Sequence, residues 1–255
     1  MTAMPVSLRF AGDVAFIGLD RPEKRNAISD ALLSALEARI EEAQGRARAI
    51  VVFGHGPCFS AGLDLAEHRS RQAEEVFWHS RGWHRVFRRL REGRVPAVAA
   101  IHGACVGGGL ELAAACHIRV AAPDAFFALP EGVRGIFVGG GASVHVARLI
   151  GAARMADMML TGRALDAEAA ERAGLVTYIA ADPVAKAGEV AAKAAKAAPL
   201  TVLGVLQALP RIQDMAESDG LFVESLVAAL AQTGPEAEAR LSEFLAKRAP
   251  KAGEA

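Results

Sequence analysis

The 255-residue chain predicts an α/β domain built around parallel strands. Three observations carry that expectation. Short runs rich in Val, Ile, Phe and Ala, each the length of one buried strand, recur at residues 14–19, 49–53, 97–101 and 118–121. Helical spacing of apolar residues separates the first two runs, so strand, helix and strand follow one another as in a parallel crossover unit. Hydrophobic residues make up 52% of the chain and mean hydropathy is +0.23, ample apolar surface to offset the entropy of ordering a backbone of this length.

Taken in order, residues 14–19 form the first strand, and the charged stretch 20–26 turns the chain, with Pro22 fixing its φ. Ser29 then caps a helix whose Leu32, Leu33, Leu36 and Ile40 share one face through about Ala43. Residues 49–53 are a β-branched strand ended by Gly54. Over 74–90, Phe77, Trp83, Val86, Phe87 and Leu90 alternate with Arg81, Arg85, Arg88 and Arg89, which describes an amphipathic helix with its arginines on a solvated face. Trp78 and Trp83 are both expected to pack. Two inner strands, 97–101 and 118–121, flank the glycine triplet 107–109 and a helix from Gly108 to about Cys116. Asp166 caps a short helix that Gly174 stops, and 175–179 is the last strand. From Pro183 the composition shifts to Ala, Lys and Glu, with helical segments at 184–198, 199–214, 221–231 and 235–248 and a frayed tail over 249–255. The expected division is a core over 1–198 and a helical region over 199–255. The latter carries Leu221, Phe222, Leu226, Leu230, Leu241, Phe244 and Leu245, which need cover from the core or another subunit.

Several function classes are disfavoured at once. Lys+Arg at 29 balance Asp+Glu at 29, so no global field draws the chain to nucleic acid or an anionic membrane. The first ten residues lack a basic stretch followed by an apolar core, so no secretory signal is expected. The apolar run 95–118 contains Pro96, His102, the glycine triplet and Glu111, which suits a buried core segment and not a membrane span. Cys58, Cys105 and Cys116 have no C-x-x-C spacing and read as reduced packing residues of a cytoplasmic protein. The seven histidines fit no metal-ligand spacing, since His79 and His84 lie five apart, and no metal is expected.

Two segments carry the chemistry, Phe59-Ser60-Ala61-Gly62-Leu63-Asp64 and residues 102–111 with Gly107-Gly108-Gly109-Leu110-Glu111. Neither has the Lys-Ser/Thr of a P-loop or dinucleotide spacing. Their small residues let backbone N–H groups approach a ligand, and at a helix N-terminus such donors are unpaired and favour anionic oxygen. Together with the segments 21–27, 97–103 and 127–131, in this order, they resemble the crotonase, or enoyl-CoA hydratase/isomerase, superfamily over about 14–179 and into the helical tail.

The resemblance implies a crotonase-like spiral of ββα units with a C-terminal helical trimerisation region, assembled as trimers or dimers of trimers. It implies an oxyanion hole from the backbone N–H groups of Ala61 and Gly108 on the carbonyl of an acyl-CoA thioester, and two acid/base carboxylates, Glu111 for water and Glu131 for the α-carbon. It places coenzyme A near Lys24, Arg25, Ala61, Asp64 and Leu65, with Phe244 and Lys247 of the tail reaching it as well. Trp83 would wall the acyl pocket; Phe137 is read either as core packing or, with Arg134 and His145, as lining that pocket. Coenzyme A is then part of the substrate and no other cofactor is expected. The implied reaction is hydration of a 2-enoyl-CoA to a 3-hydroxyacyl-CoA. Isomerase and hydratase-lyase activities, including hydration of methylthioacryloyl-CoA, are alternatives, and a non-catalytic acyl-CoA binder is the alternative of another class. Two departures from the family pattern, Val138 where a proline often stands and His117 for a frequent acidic residue, bear on substrate identity.

Overall fold

The computed structural model describes residues 4–67 and 71–248, with side chains described up to residue 246. The chain divides into two compact units, 1–195 and 196–255.

In the first unit, β1 (Val6–Ala11) and β2 (Val14–Leu19) form an antiparallel hairpin in which Val6 faces Leu19 and Ala11 faces Val14. Gly12, at φ 56°, makes the turn. Sequence reading assigned nothing to β1, although Val6, Leu8 and Phe10 alternate with polar residues; the strand is half-exposed and its apolar signal is correspondingly thin. Helix α1 (Asp30–Arg46) begins where Ser29 Oγ accepts from Leu32 N–H at 3.2 Å. It is followed by β3 (Ala49–Gly54), α2 (Ala73–Arg91), β4 (Ala97–Ile101), β5 (Ala104–Val106), α3 (Gly108–Ala115), β6 (Ile118–Ala121) and β7 (Phe126–Ala128). Sequence reading left out the two helices that come next, α4 (Ala142–Ile150) and α5 (Ala152–Thr161). Then come β8 (Leu165–Asp166), α6 (Ala167–Arg172), β9 (Tyr178–Ile179) and α7 (Pro183–Ala194).

The strands make a six-stranded sheet, β1-β2-β3-β4-β6-β9, parallel from β2 onward, and a three-stranded sheet, β5-β7-β8. Each turn of the chain supplies one strand to each sheet before its helix: β4 and β5 precede α3, and β6 and β7 precede α4. After β3, Ser60 bridges Cys105 of β5 in the same way before α2. The result is a spiral of ββα turns. Helices α1, α2 and α3 cover one face of the larger sheet and α7 covers the other, through Ala187 and Ala191 against Phe16, Val51 and Val98. Both faces of β2, β3 and β4 are thus buried, which is why these strands read as unbroken apolar runs.

The last strand is shorter than its sequence suggests. The N–H groups of Leu175 and Val176 donate to Ala170 O, and the Leu175 carbonyl accepts from the buried Arg119 guanidinium, so only Tyr178 and Ile179 pair with β6.

The second unit holds α8 (Pro199–Leu203), a π-helical turn over Gly204–Ala208, α9 (Leu209–Ile212), α10 (Glu217–Gln232) and α11 (Pro235–Arg248). Pro210 has no N–H to give an i−4 carbonyl, and the register shift into π geometry falls immediately before it. The tail 249–255, expected to fray, lies outside the described residues.

Candidate active site

Helix α3 starts at a strained corner. Gly107 caps it at φ 52°, ψ −121°, and a Cβ there would come 2.5 Å from Glu131 Oε1, so only glycine fits. Every residue of α3 is buried, which carries Glu111 into the interior at 4% exposure. A buried carboxylate needs partners, and Glu111 Oε1 accepts from the N–H groups of Gly140 at 2.7 Å and Ala142 at 3.0 Å. Glu131 follows β7 and opens a single 3₁₀ turn, Gly132–Arg134, itself buried at 9%. Its Oε2 is enclosed and has no hydrogen-bond partner among the described residues.

Both carboxyls line one cavity of about 280 Å³. Burial pushes Glu111 up to about 7; the nearby Glu131 charge adds to this, and the amides of residues 140–142 oppose it. Burial raises Glu131 as well, against its own backbone N–H and the Arg134 guanidinium. The two carboxyls face one space, with Glu111 held by the amides of Gly140 and Ala142.

The amides need one correction. Ala61 lines the cavity, but its N–H donates to Arg25 O at 2.9 Å and is therefore not open to a ligand. Gly62 N–H likewise donates to Ser60 Oγ at 3.1 Å. The donors left open are Leu63 N–H and Gly108 N–H, for which no acceptor exists among the described residues. They are neighbours: a Cβ on Gly62 would sit 3.1 Å from Gly108 N, and one on Gly108 would sit 3.4 Å from Leu63 N. The parallel bridge between Ile28 and Leu63 sets this register, because the bridge uses the Gly62 carbonyl and the Asp64 N–H and leaves the amide between them unused.

A residue that sequence reading passed over holds this loop. Asn26, fully buried at φ 53°, donates from Nδ2 to the carbonyls of His55 and Cys58 at 2.9 Å each, and its Oδ1 accepts from Arg21 N–H at 2.9 Å. Its carbonyl accepts from Ser60 Oγ at 2.8 Å. An Asn in a short charged turn before a helix was the available signal.

Other expected residues fall as follows. Asp64 is committed to structure: Oδ2 meets Arg21 at 3.2 Å and Oδ1 accepts from Ala66 N–H, so its side chain pins the loop. Leu65 lies on the cavity wall, half-exposed. Lys24 and Arg25 are exposed, and neither side chain is on the wall. Trp83 is buried and lines the cavity, whereas Trp78, expected to pack, is 63% exposed and lies edge-on to Phe77. Phe137 also lines the cavity and is 71% exposed, which removes the core-packing reading. Arg134 lies on the wall; His145 does not, being tucked behind Gly141. His117 is structural, with Nδ1 accepting from Ala97 N–H and Nε2 donating to Arg91 O, and burial holds it neutral by lowering it to about 4. Of the arginines expected in solvent, Arg85 and Arg89 pair with Glu37 and tie α2 to α1. In the second unit Phe244 is half-exposed, while the side chain of Lys247 lies outside the described residues.

Among the described residues no group of three or more His, Cys, Asp or Glu side chains is placed to hold a metal, and no helix is long and apolar enough to cross a membrane.

Comparison with known proteins agrees in sequence and shape. A solved structure from Rhodopseudomonas palustris is 49% identical, with a TM-score of 0.93 over 96% of this chain and 95% of the other. The enoyl-CoA hydratase of Thermoplasma volcanium is 32% identical, with a TM-score of 0.90 over 95% and 98% of the two chains. The 2,3-dehydroadipyl-CoA hydratase of Escherichia coli is 32% identical over 93% of this chain and 94% of its own. The family model described as enoyl-CoA hydratase/isomerase matches residues 9–254, and on that match and these relatives the chain belongs to this family.

Proposed function

We propose that the protein is a hydro-lyase that adds water to a 2-enoyl-CoA thioester to give the 3-hydroxyacyl-CoA. One observation carries the reading: two unpaired amides, Leu63 N–H and Gly108 N–H, open into the same cavity as two buried carboxyls. Two fixed donors are the arrangement that stabilises charge building on a thioester oxygen, and removing one such donor typically costs ~2.7–4 kcal/mol of barrier. Two carboxyls are what hydration demands in addition. Glu111, in its anionic form, takes a proton from water as the oxygen bonds to the β-carbon. The double-bond electrons move toward the thioester oxygen, and Glu131, in its neutral form, returns a proton to the α-carbon. Burial raises Glu131, which favours its holding a proton to give, and its Oε2 has no hydrogen-bond partner among the described residues. No redox cofactor or metal is needed for these steps.

Trp83 and Phe137 would then bound the acyl group, and Ala61 and Leu65 the coenzyme A side. Homo-oligomerisation in a cytoplasmic setting belongs to the same proposal. The exposed Leu221, Phe222, Leu226 and Leu230 of α10 and Leu241, Phe244 and Leu245 of α11 support subunit contact, and three buried free cysteines suit a reducing compartment. The test is a panel of enoyl-CoAs, including crotonyl-, feruloyl- and methylthioacryloyl-CoA, followed by loss of conjugated-thioester absorbance. Turnover of at least one member is expected; none at high enzyme concentration would favour a non-catalytic acyl-CoA binder.

A further inference from the structure

We propose that Ser80 of α2 is a positioning residue for the base Glu111, acting through the peptide bond that joins Gly139 to Gly140. The inference rests on the hydratase reading and adds a residue to its site.

The two ends of that peptide are held by different helices. Its N–H, on Gly140, donates to Oε1 of Glu111 in α3 at 2.7 Å. Its carbonyl, on Gly139, accepts from Ser80 Oγ at 2.5 Å, and the ring of His84, one helical turn further along α2, bonds to the backbone of the same glycine. A Cβ on Gly139 would lie 3.6 Å from Ser80 Oγ and 3.8 Å from Ser80 Cβ, so helix and loop touch there. Hydroxyl, carbonyl, amide and carboxylate thus form one chain of donors and acceptors, each polarising the next.

Such a peptide needs holding. It lies between two glycines, with a third, Gly141, at φ 111° after it, and glycine takes either sign of φ at little cost. A turn of the peptide plane would take the N–H off the carboxylate and bring the Gly139 oxygen toward it, leaving the amides of Gly141 and Ala142 to hold Glu111. Ser80 lies half-buried on the cavity wall, yet its hydroxyl hydrogen is committed to the loop. An amide kept in place favours the anionic form of Glu111 and fixes its aim. The titratable and charged groups around the base are Glu131 and Arg134 after β7, His79 and His84 of α2, and His145 of α4 behind Gly141. Burial first, then Arg81 for His84 and Arg91 and Arg148 for His145, lowers both histidines, so these two are largely neutral where Glu111 ionises.

The test is the pH profile of kcat and kcat/KM for crotonyl-CoA, or another panel member that turns over, in the native protein, Ser80→Ala and Ser80→Thr. Alanine suits a half-buried helix position, so that variant should keep the fold. Ser80→Ala should move the acid limb to higher pH by about 0.3–1 unit, because the amide holds the carboxylate less well. It should also lower plateau kcat by about 5- to 10-fold with KM little changed, since the base is less well aimed. Ser80→Thr, which keeps the hydroxyl, should restore most of both. An acid limb and kcat unchanged in Ser80→Ala would overturn the proposal and leave the hydratase reading intact. A change confined to KM would do the same, making Ser80 a plain substrate contact, as would a Thr variant no better than Ala. If Ser80→Ala does not fold, Ser80→Cys, a weaker donor, decides by the same readings. Absence of native turnover with every thioester strikes the hydratase reading instead. The positioning role is then decided by ¹³C NMR titration of the glutamate carboxyls, with Glu111 assigned through Glu111→Gln: an upward shift in Ser80→Ala upholds it, and an identical titration refutes it.

Discussion

Glu111 is buried among apolar side chains yet ionisable near neutrality, and this single residue ties catalysis to stability. Its carboxyl titrates at about 7 in the folded protein against an ordinary 4.5. Below pH 4.5 it is neutral folded or unfolded; as pH rises through 7 the folded protein must ionise it in a dry site, and the advantage of holding the proton is lost. The fully developed penalty is about 3 kcal/mol. Glu111→Gln removes that dependence. Denaturant unfolding should show the variant gaining on the native protein by about 3 kcal/mol between pH 4 and pH 8, and a pH-independent difference would contradict the assignment. Activity should move the opposite way. The base must be anionic, so kcat/KM should climb through about pH 7, and Glu111→Gln and Glu131→Gln should each lower kcat by roughly 10²-fold or more. Both glutamates were picked out by the resemblance of their motifs to the family's, Glu111 also by its apolar neighbours, and the structure brings both to one cavity. The identity of the second amide donor was not legible in this way: Ala61 and Leu63 both flank Gly62, and which N–H stays open depends on Arg25, some 36 positions earlier in the chain.

At the scale of elements, the site is a meeting of three chain segments. Residues 59–64 bring one amide, the start of α3 brings the other with Glu111, and the segment after β7 brings Glu131 and the amides that hold Glu111. Asn26 fastens the first of these. Asn26→Ala would strand two buried carbonyls and should cost about 3 kcal/mol in thermal or denaturant unfolding, and a neutral result would show that the turn keeps its shape by other contacts. Gly140→Ala tests the third segment. Its methyl would come 2.7 Å from Glu111 Oε2 and 3.0 Å from Trp83, so kcat should fall by roughly 10²-fold with the fold retained. Helix α1 was legible from the spacing of its leucines and its Ser29 cap, and β3 from its β-branched run. Strand β1 escaped notice because only one face is covered. The residue 175–179 strand came out too long because a buried Arg119 captures its first carbonyl, a contact made over 56 residues of sequence.

At the scale of the whole molecule, balanced charge and apolar composition excluded partner classes without saying what the exposed leucines of α10 and α11 are for. Subunit contact is the use proposed above. Light scattering at micromolar concentration should give a mass near three or six times 26.7 kDa, and a stable monomer would count against it. The account as a whole turns on whether one cavity places oxygen on one carbon and hydrogen on the next. The direct measurement is mass spectrometry of the product formed from crotonyl-CoA in ¹⁸O-labelled water and, separately, in D₂O. One solvent oxygen on the β-carbon and one solvent hydrogen on the α-carbon, both lost in Glu111→Gln and Glu131→Gln, is the predicted result. A double bond that migrates without taking up oxygen, or product formed unabated by the two variants, would contradict it.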